Sequence, residues 1–200
     1  MYPLFESIRY KNGIPENLEF HQQRVDYTLL QLNVTSPIIL ADHIYLHANK
    51  PDRDNQVYKC RLQYDLIGEV NIRFEPYTIR NINTFSIHDI GSKVYQYKYA
   101  DRIWINEILT NSGTDEVILT QNGYIKDTSY ANLVFFDGLD WITPSQPLLM
   151  GTRRAALLKA GIIREAPLHS NDLKNFVEFR LINAMMLWEE CPIYKLEGIN

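Results

Sequence analysis

The sequence lacks the features of a membrane protein or an exported protein. No apolar run approaches the roughly 18 uncharged residues that a membrane-spanning helix needs. The first six residues, MYPLFE, contain neither the basic region nor the apolar region of a signal peptide. We therefore expect a soluble, cytoplasmic protein without a membrane partner.

Cysteine and clustered positive charge are also scarce. Cys60 and Cys191 lie far apart and match no metal-ligand spacing, so we expect reduced thiols, no disulfide framework and no metal site. The 20 basic and 24 acidic residues give a net charge of −4, and no basic block could follow a phosphate backbone. Nucleic acid is therefore not among the expected partners.

Most short motifs of common active sites are absent as well, since the chain contains no Walker A loop, GxGxxG, HExxH, GxSxG or CxxC. What is present is an ordinary globular composition of 200 residues, 46% hydrophobic and 22% charged. This composition excludes intrinsic disorder, and the length suits one large domain or two small ones.

Residues 1–92 have the pattern of an α+β domain. A strand over 4–10 precedes a turn at Lys11-Asn12-Gly13 and a helix over 18–31, which Asn17 could cap. A second helix is predicted from Ser36-Pro37 to about residue 49. The extended runs that follow indicate an antiparallel meander. They cover residues 57–64, 70–76 and 79–87.

Residues 93–200 have the pattern of a second layered domain. Apolar residues recur at helical spacing over 102–109, and Gln121-Asn122-Gly123 predicts the turn of a hairpin. The remaining predicted elements are strands over 116–120, 133–136 and 141–143, and helices over 153–160 and 175–187.

Five short stretches, in a fixed order, carry the chemically informative residues. They are FESIRY at 5–10 with HQQR at 21–24, YQYKYADR at 95–102, NGYIKDTSYANLVF at 122–135, TP at 143–144 with LMGTRR at 149–154, and LINAMM at 181–186. Together they resemble the fold-type IV enzymes that use pyridoxal 5′-phosphate (PLP), the class IV aminotransferase family. The resemblance implies an N-terminal α/β sandwich over 1–92, a C-terminal domain over 93–200 with a barrel-like sheet and helices, and PLP at their interface.

The resemblance assigns the covalent link to PLP to Lys98. A PLP enzyme needs one amine that can be neutral near pH 7, and desolvation among aromatic side chains favours that state. Lys98 has three tyrosines within three positions. The same amine, once the substrate has displaced it, would serve as the general base.

The phosphate of PLP would be held from two places in the sequence. In the family, the arginine of His-x-x-Arg, here Arg24, binds the phosphate, a task that suits a planar fork of charged donors. The residues Gly151, Thr152 and Arg153 open a predicted helix, whose first backbone N–H groups would face the same anion.

Asp127 corresponds to the carboxylate that the family pairs with the pyridine nitrogen of PLP. A proton held on that nitrogen makes the ring an electron sink. The family usually has glutamate here, so the reach of Asp127 is about one carbon–carbon bond (~1.5 Å) shorter. By the same resemblance, Ser129 and Asn183 would contact the cofactor.

The stretch LINAMM is similar to the Asn-Ala-x-Met of the family's 4-amino-4-deoxychorismate lyases. We therefore predict a homodimeric lyase that converts this compound to 4-aminobenzoate and pyruvate in folate biosynthesis. Its anionic substrate needs donors, for which the candidates are Ser7, Arg9, Arg102 and Arg154. Two alternatives stay open: an aminotransferase for branched-chain or D-amino acids, and a cofactor-free binding protein that retains the fold.

Overall fold

A computed structural model describes residues 3–51 and 54–199. The chain divides into two compact units: unit 1 holds Met1–Ile79 and Tyr97–Asp101, and unit 2 holds Arg80–Gln96 and Arg102–Asn200. This division differs from the boundary after residue 92 that the sequence suggested. A strand within residues 80–92 pairs inside unit 2, whereas Lys98 lies on a segment that pairs with the first strand of unit 1.

Unit 1 is an antiparallel sheet in the order β2-β1-β3-β4, accompanied by two helices. Its elements are β1 (Leu4–Lys11), β2 (Ile14–Pro15), α1 (Leu18–Gln31), α2 (Leu40–Tyr45), β3 (Tyr58–Tyr64) and β4 (Val70–Pro76). Because side chains alternate along a strand, Ile8 and Tyr10 share a core with Val25 of α1. Phe5 and Ser7 therefore face the other side of the sheet.

Four predicted elements of unit 1 are confirmed: the strands at 4–10, 57–64 and 70–76 and the helix at 18–31. The predicted cap is wrong, because Asn17 has a left-handed backbone (φ 52°) and its side chain makes no capping hydrogen bond. The second helix is shorter than predicted. Gln22 of α1 donates to the carbonyl of Ile38 (2.8 Å) and accepts from the N–H of Leu40 (2.9 Å), so α2 begins only at Leu40.

Unit 2 is built on a larger, mixed sheet. Its strands are β5 (Phe85–Asp89), β6 (Glu116–Gln121), β7 (Tyr124–Thr128), β8 (Asn132–Phe136), β9 (Trp141–Pro144), β10 (Arg164–Ala166), β11 (Glu178–Ile182) and β12 (Ile193–Lys195). Its helices are α3 (Ile103–Ser112) and α4 (Thr152–Lys159), with 3₁₀ turns at Ser170–Asn175, Trp188–Glu190 and Leu196–Gly198. The predicted hairpin at Gln121-Asn122-Gly123 is confirmed as the β6–β7 turn.

The sheet of unit 2 is open across the part of the chain that the structure describes. Its path runs β10-β9-β8-β7-β6-β5, and β11 with β12 branches off at β8. β8 therefore divides its two edges among β7, β9 and β11, and the sheet branches there instead of closing. The resemblance implied a barrel-like sheet, and among the described residues this sheet does not close into a barrel.

Two predicted elements of unit 2 are also corrected. The extended run predicted over 79–87 as part of a meander is the strand Phe85–Asp89, which pairs in parallel with β6. The helix predicted over 175–187 is the strand β11, which ends in a turn. In β11 the buried Phe179 and Leu181 alternate with the half-buried Glu178 and Arg180, a period of two that pairing with β8 and β12 stabilises.

The core of unit 2 lies along one face of this sheet, where Phe85, Ile118, Leu133 and Phe179 pack together. A smaller cluster around Val117 and Leu119 includes Trp104 of α3. Both cysteines are free and buried. No helix among the described residues is long and apolar enough to cross a membrane.

We expect Gly123→Ala to destabilise the protein more than Gly113→Ala. Both glycines have positive φ, 80° and 69°, so each substitution costs roughly 1–2 kcal/mol in backbone strain. A Cβ at residue 123 would also lie 2.0 Å from Nε2 of His169, whereas residue 113 has open space. Equal shifts of the urea unfolding midpoint in the two variants would contradict this account.

Candidate active site

Lys98 lies in unit 1 on a short extended segment beside β1. The Phe5 N–H donates to the Lys98 carbonyl (3.0 Å) and the Ala100 N–H donates to the Pro3 carbonyl (2.8 Å), so backbone bonds hold the segment. The half-buried lysine places its Nζ 4.6 Å from the centroid of the Phe5 ring. The sequence predicted tyrosines as the aromatic neighbours of Lys98. Phe5 is far from Lys98 in the sequence, so the local pattern of tyrosines could not identify it.

Glu6 is fully buried and points to the face of β1 opposite to the face that carries Phe5. Its Oε1 accepts a hydrogen bond from Nε of Arg24 (2.9 Å), and its Oε2 accepts bonds from Nη2 of Arg24 and from Nδ1 of His21 (2.6 Å). Burial alone would raise the pKa of Glu6, but Arg24 and His21 outweigh it and lower the pKa to about 2. Burial lowers the pKa of His21, so its neutral ring donates to a permanently charged carboxylate.

The structure therefore gives Arg24 a partner that the sequence analysis missed. The fork that we assigned to the phosphate, Nε with Nη2, binds Glu6 inside unit 1. The signal was present in β1, because Glu6 falls between Leu4 and Ile8 on the face that packs in the core. A buried carboxylate at such a position must find a cation or several donors.

In unit 2 the predicted carboxylate, Asp127, is buried on β7. Its Oδ1 accepts a hydrogen bond from Nδ2 of Asn132 (2.7 Å), and its Oδ2 accepts one from the N–H of Leu149 (2.8 Å). Burial raises the pKa of Asp127 to about 7, although these bonds and the more remote charge of Arg154 oppose the shift. Asp127 is thus a carboxyl group whose proton can be gained or lost near neutral pH.

A β-bulge accompanies this side chain. The register of β7 against β6 shifts by one residue between Ile118 and Thr120. In that interval β7 carries two residues, Lys126 and Asp127, against one residue of β6. Bulges change the direction of side chains and are frequent next to active sites. The alternation of the sequence alone would therefore misplace residues in this part of β7.

Helix α4 begins close to the same carboxylate. Gly151 has an ordinary φ of −73°, but a Cβ there would lie 1.8 Å from Oδ1 of Asn132, so space requires glycine. Thr152 and Arg153 are buried in the first turn, where backbone N–H groups lack partners within the helix and favour an anion. The structure thus brings Asp127 and the predicted phosphate-binding helix start together in one unit.

Ser129 and Arg102 are also brought together. The Ser129 N–H donates to Oε1 of Glu116 (2.9 Å), and the Ser129 carbonyl accepts a bond from Nη2 of Arg102. Glu116 is fully buried and its Oε2 accepts from Nη1 of Arg80 (3.0 Å). Arg102 therefore holds the backbone of the β7–β8 turn, a role that the sequence analysis did not foresee.

The other predicted site residues have local partners as well. Arg9 donates from Nε to Glu16 (3.0 Å), and Arg154 donates from Nη2 to the carbonyl of Pro144 (2.8 Å) and to Glu165 (2.7 Å). Both arginines are almost fully buried, so these bonds give them a structural role. Two predicted site residues remain. The side chain of Asn183, just after β11, accepts a hydrogen bond from the N–H of Met185 (2.8 Å), and Ser7 is half-buried on β1.

The chain is similar to known proteins over most of its length. The model of the family described as Amino-transferase class IV matches residues 76–191. An uncharacterized protein of Haemophilus influenzae is 34% identical over 186 residues, which cover 92% of this chain and 98% of that protein.

Solved structures add two comparisons. A putative 4-amino-4-deoxychorismate lyase from Haemophilus somnus is 31% identical, with a TM-score of 0.80 over 92% of this chain and 97% of that chain. The PLP-bound form of a hypothetical aminotransferase from Mycobacterium tuberculosis is 16% identical, with a TM-score of 0.72 over 99% of this chain and 81% of that chain. The second likeness concerns the fold alone.

We expect Asp127 to titrate near pH 7 in the protein without ligand. Its pKa is raised from 3.8, so between about pH 4 and 7 the folded state holds a proton that the unfolded chain has released. The contribution of this group to stability is therefore complete below about pH 4 and is lost as the pH rises through 7, by on the order of 4 kcal/mol.

The measurement is urea unfolding of the parent protein and of Asp127→Ala from about pH 5 to about pH 8. As the pH rises, the free energy of unfolding of the parent should fall relative to that of Asp127→Ala, because only the parent must bury the ionising group. A carbon-13 NMR titration in which the Asp127 carboxyl ionises near its ordinary pKa would contradict the prediction.

Proposed function

The chain belongs to the class IV aminotransferase family and has its fold-type IV architecture, and from this we propose that it is a PLP-dependent lyase that converts 4-amino-4-deoxychorismate to 4-aminobenzoate and pyruvate. The observation that carries the proposal is the buried Asp127, which shares one hydrogen-bond network with the residues that lead into α4. The 31% identity to the Haemophilus somnus protein supports the choice of a lyase.

The chemistry of the described residues fits PLP. This cofactor presents a phosphate, a basic ring nitrogen and an aldehyde. A helix N-terminus such as that at Thr152 and Arg153 suits the phosphate. A carboxyl group that ionises near neutral pH, as Asp127 does, suits the ring nitrogen, and the amine of Lys98 suits the aldehyde.

When bound, PLP supplies an electron sink for the negative charge that develops where the substrate loses a proton. We assign two roles to the Nζ of Lys98. It would hold the cofactor, and after the substrate has displaced it, it would accept the proton that the substrate loses. The backbone bonds of Lys98 and Ala100 to β1 fix the point from which this side chain extends. One amine can fill both roles because they follow each other in time.

Asp127 would hold the proton of the pyridine nitrogen. Its neighbours Asn132 and Leu149 donate to it without adding charge, so a cationic ring would supply the charged partner that these residues do not. Such a cation would lower the pKa of Asp127 and favour the ionised form that the role requires. Because aspartate is about one carbon–carbon bond (~1.5 Å) shorter than glutamate, Asp127 would meet the ring nitrogen either directly or through a water molecule.

The phosphate would be bound mainly by the start of α4. The N–H groups of Thr152 and Arg153 belong to the first turn, where backbone N–H groups lack partners within the helix. Arg24 of unit 1 would add positive charge while Glu6 holds its Nε and Nη2. The roles proposed for Ser129 and Asn183, the anionic substrate and the homodimer stay predictions.

We expect the purified protein, supplied with PLP, to absorb visible light and to release 4-aminobenzoate and pyruvate from 4-amino-4-deoxychorismate. Lys98→Ala should lose essentially all turnover, because binding and proton transfer depend on the same amine. Borohydride should attach the cofactor to the peptide that contains Lys98. Lys93→Ala, in which an exposed lysine five residues away is removed, is the matched control and should retain activity.

Three outcomes separate the alternatives. Transfer of the amino group of a branched-chain or D-amino acid to the cofactor without elimination would identify an aminotransferase. A protein that stays colourless after incubation with PLP would be a binding protein that retains the fold. Borohydride label on another lysine would refute the assignment of Lys98 while leaving the cofactor in place.

Arg24→Ala should weaken PLP binding about ten- to a hundredfold, because a charged contact to phosphate contributes roughly 1.5–3 kcal/mol. The substitution also leaves Glu6 without its cation, so stability will fall as well. Pyridoxal, which lacks the phosphate, provides the control: its affinity should change much less. Arg24→Lys should recover part of the PLP affinity. An equal loss for PLP and pyridoxal would assign Arg24 to structure alone.

A further inference from the structure

Asn132 lies between two parts of unit 2 that have separate tasks in the proposed function. Asp127 is assigned to the ring nitrogen of PLP, and the start of α4 is assigned to its phosphate. The hydrogen bonds of the Asp127 carboxylate to Asn132 and Leu149 do not reach the first residues of α4. Asn132, which is 6% exposed, contacts both.

The amide nitrogen of Asn132 uses both of its protons. Nδ2 donates to Oδ1 of Asp127 (2.7 Å) and to the carbonyl of Leu149 (2.9 Å). The N–H of Leu149 donates back to Oδ2 of Asp127 (2.8 Å). Three hydrogen bonds thus form a closed ring through the carboxylate, the amide and the backbone of one loop residue.

The amide oxygen of Asn132 faces the helix start. A Cβ built on Gly151 would lie 1.8 Å from Oδ1 and 3.0 Å from Cγ of Asn132. The backbone of Gly151 is ordinary, with φ −73° and ψ 140°, so conformational freedom does not explain the glycine. The side chain of Asn132 occupies the space that a residue 151 with a side chain would need.

This arrangement requires an amide of one length. Aspartate at position 132 would have no protons to donate and would place a second carboxyl group against Asp127, where repulsion between like charges is strong in a buried site. Glutamine would add a methylene group to a contact that already excludes a Cβ at residue 151. Alanine would remove the donor and leave both the Asp127 oxygen and the Leu149 carbonyl without it.

We propose that Asn132 is a positioning residue that ties Asp127 to the loop leading into α4, and so sets the separation between the groups that hold the two ends of PLP. This inference rests on the proposed function for the identity of the ligand. The tie itself is a property of unit 2 and can be tested without any cofactor.

The first test is a double-mutant cycle on the PLP-free protein, with urea unfolding as the measurement. Gly151→Ala should lower the unfolding midpoint strongly, since the new methyl group displaces Asn132 from its bonds. In an Asn132→Ala background the same change should cost less than half as much, because the obstructing side chain is gone. Gly113→Ala, at a site with open space, is the matched control and should be additive with Asn132→Ala.

The second test asks whether the amide acts by donation or only by filling space. Asn132→Asp has nearly the same size, so a space-filling role predicts near-parental behaviour. Positioning by the amide predicts that Asn132→Asp and Asn132→Ala both shift the midpoint at which the Asp127 carboxyl titrates by carbon-13 NMR. Both variants should also bind inorganic phosphate at least several-fold more weakly than the parent.

The outcomes distinguish the two claims. Additive effects of Asn132→Ala and Gly151→Ala, or parental titration and phosphate affinity in Asn132→Asp, would overturn the positioning role. If the double-mutant cycle is coupled and the Asn132 variants shift the Asp127 titration, the tie is supported. If the parent protein then binds neither phosphate nor PLP, the proposed function is refuted and the tie is not.

Discussion

A carboxylate removed from water needs donors, and the buried carboxylates of this protein obtain them from charged or from neutral partners. Glu6 in unit 1 and Asp127 in unit 2 both accept bonds on both oxygens. They differ in the charge of their partners. Glu6 has the guanidinium of Arg24, and its pKa falls to about 2, whereas the direct donors to Asp127 are neutral and its pKa rises to about 7.

That difference in partners separates a structural carboxylate from one suited to chemistry. At neutral pH Glu6 is always ionised and binds α1 to β1 through His21 and Arg24. Asp127 is close to its midpoint, so a ligand can change its protonation at small cost in free energy. Because both of its oxygens accept from N–H groups, Asp127→Asn would place an NH₂ group against a donor. The effect of that variant would therefore include a lost hydrogen bond as well as a lost charge.

The arginines that were predicted to bind an anionic substrate all have hydrogen-bond partners within their own units. Arg9 and Arg154 are bonded within their own units, and Arg102 holds the backbone of Ser129. Family membership follows from similarity over most of the chain, whereas the prediction of a lyase and not an aminotransferase rests on the short stretch around Asn183.

Local signals in the sequence predicted several elements correctly and gave the order of the chemically informative stretches. Alternation and turn residues were enough for β1, β4 and the β6–β7 hairpin, because those signals are local. Tertiary structure decided what depends on distant partners: the start of α2, set by Gln22; the strand β11, stabilised by β8 and β12; and the open, branched sheet. Tertiary structure also decided that Arg24 binds Glu6 and that the Asn132 side chain leaves room only for glycine at position 151. Hydrogen bonds and steric contacts in a buried site depend on residues that are far apart in the chain.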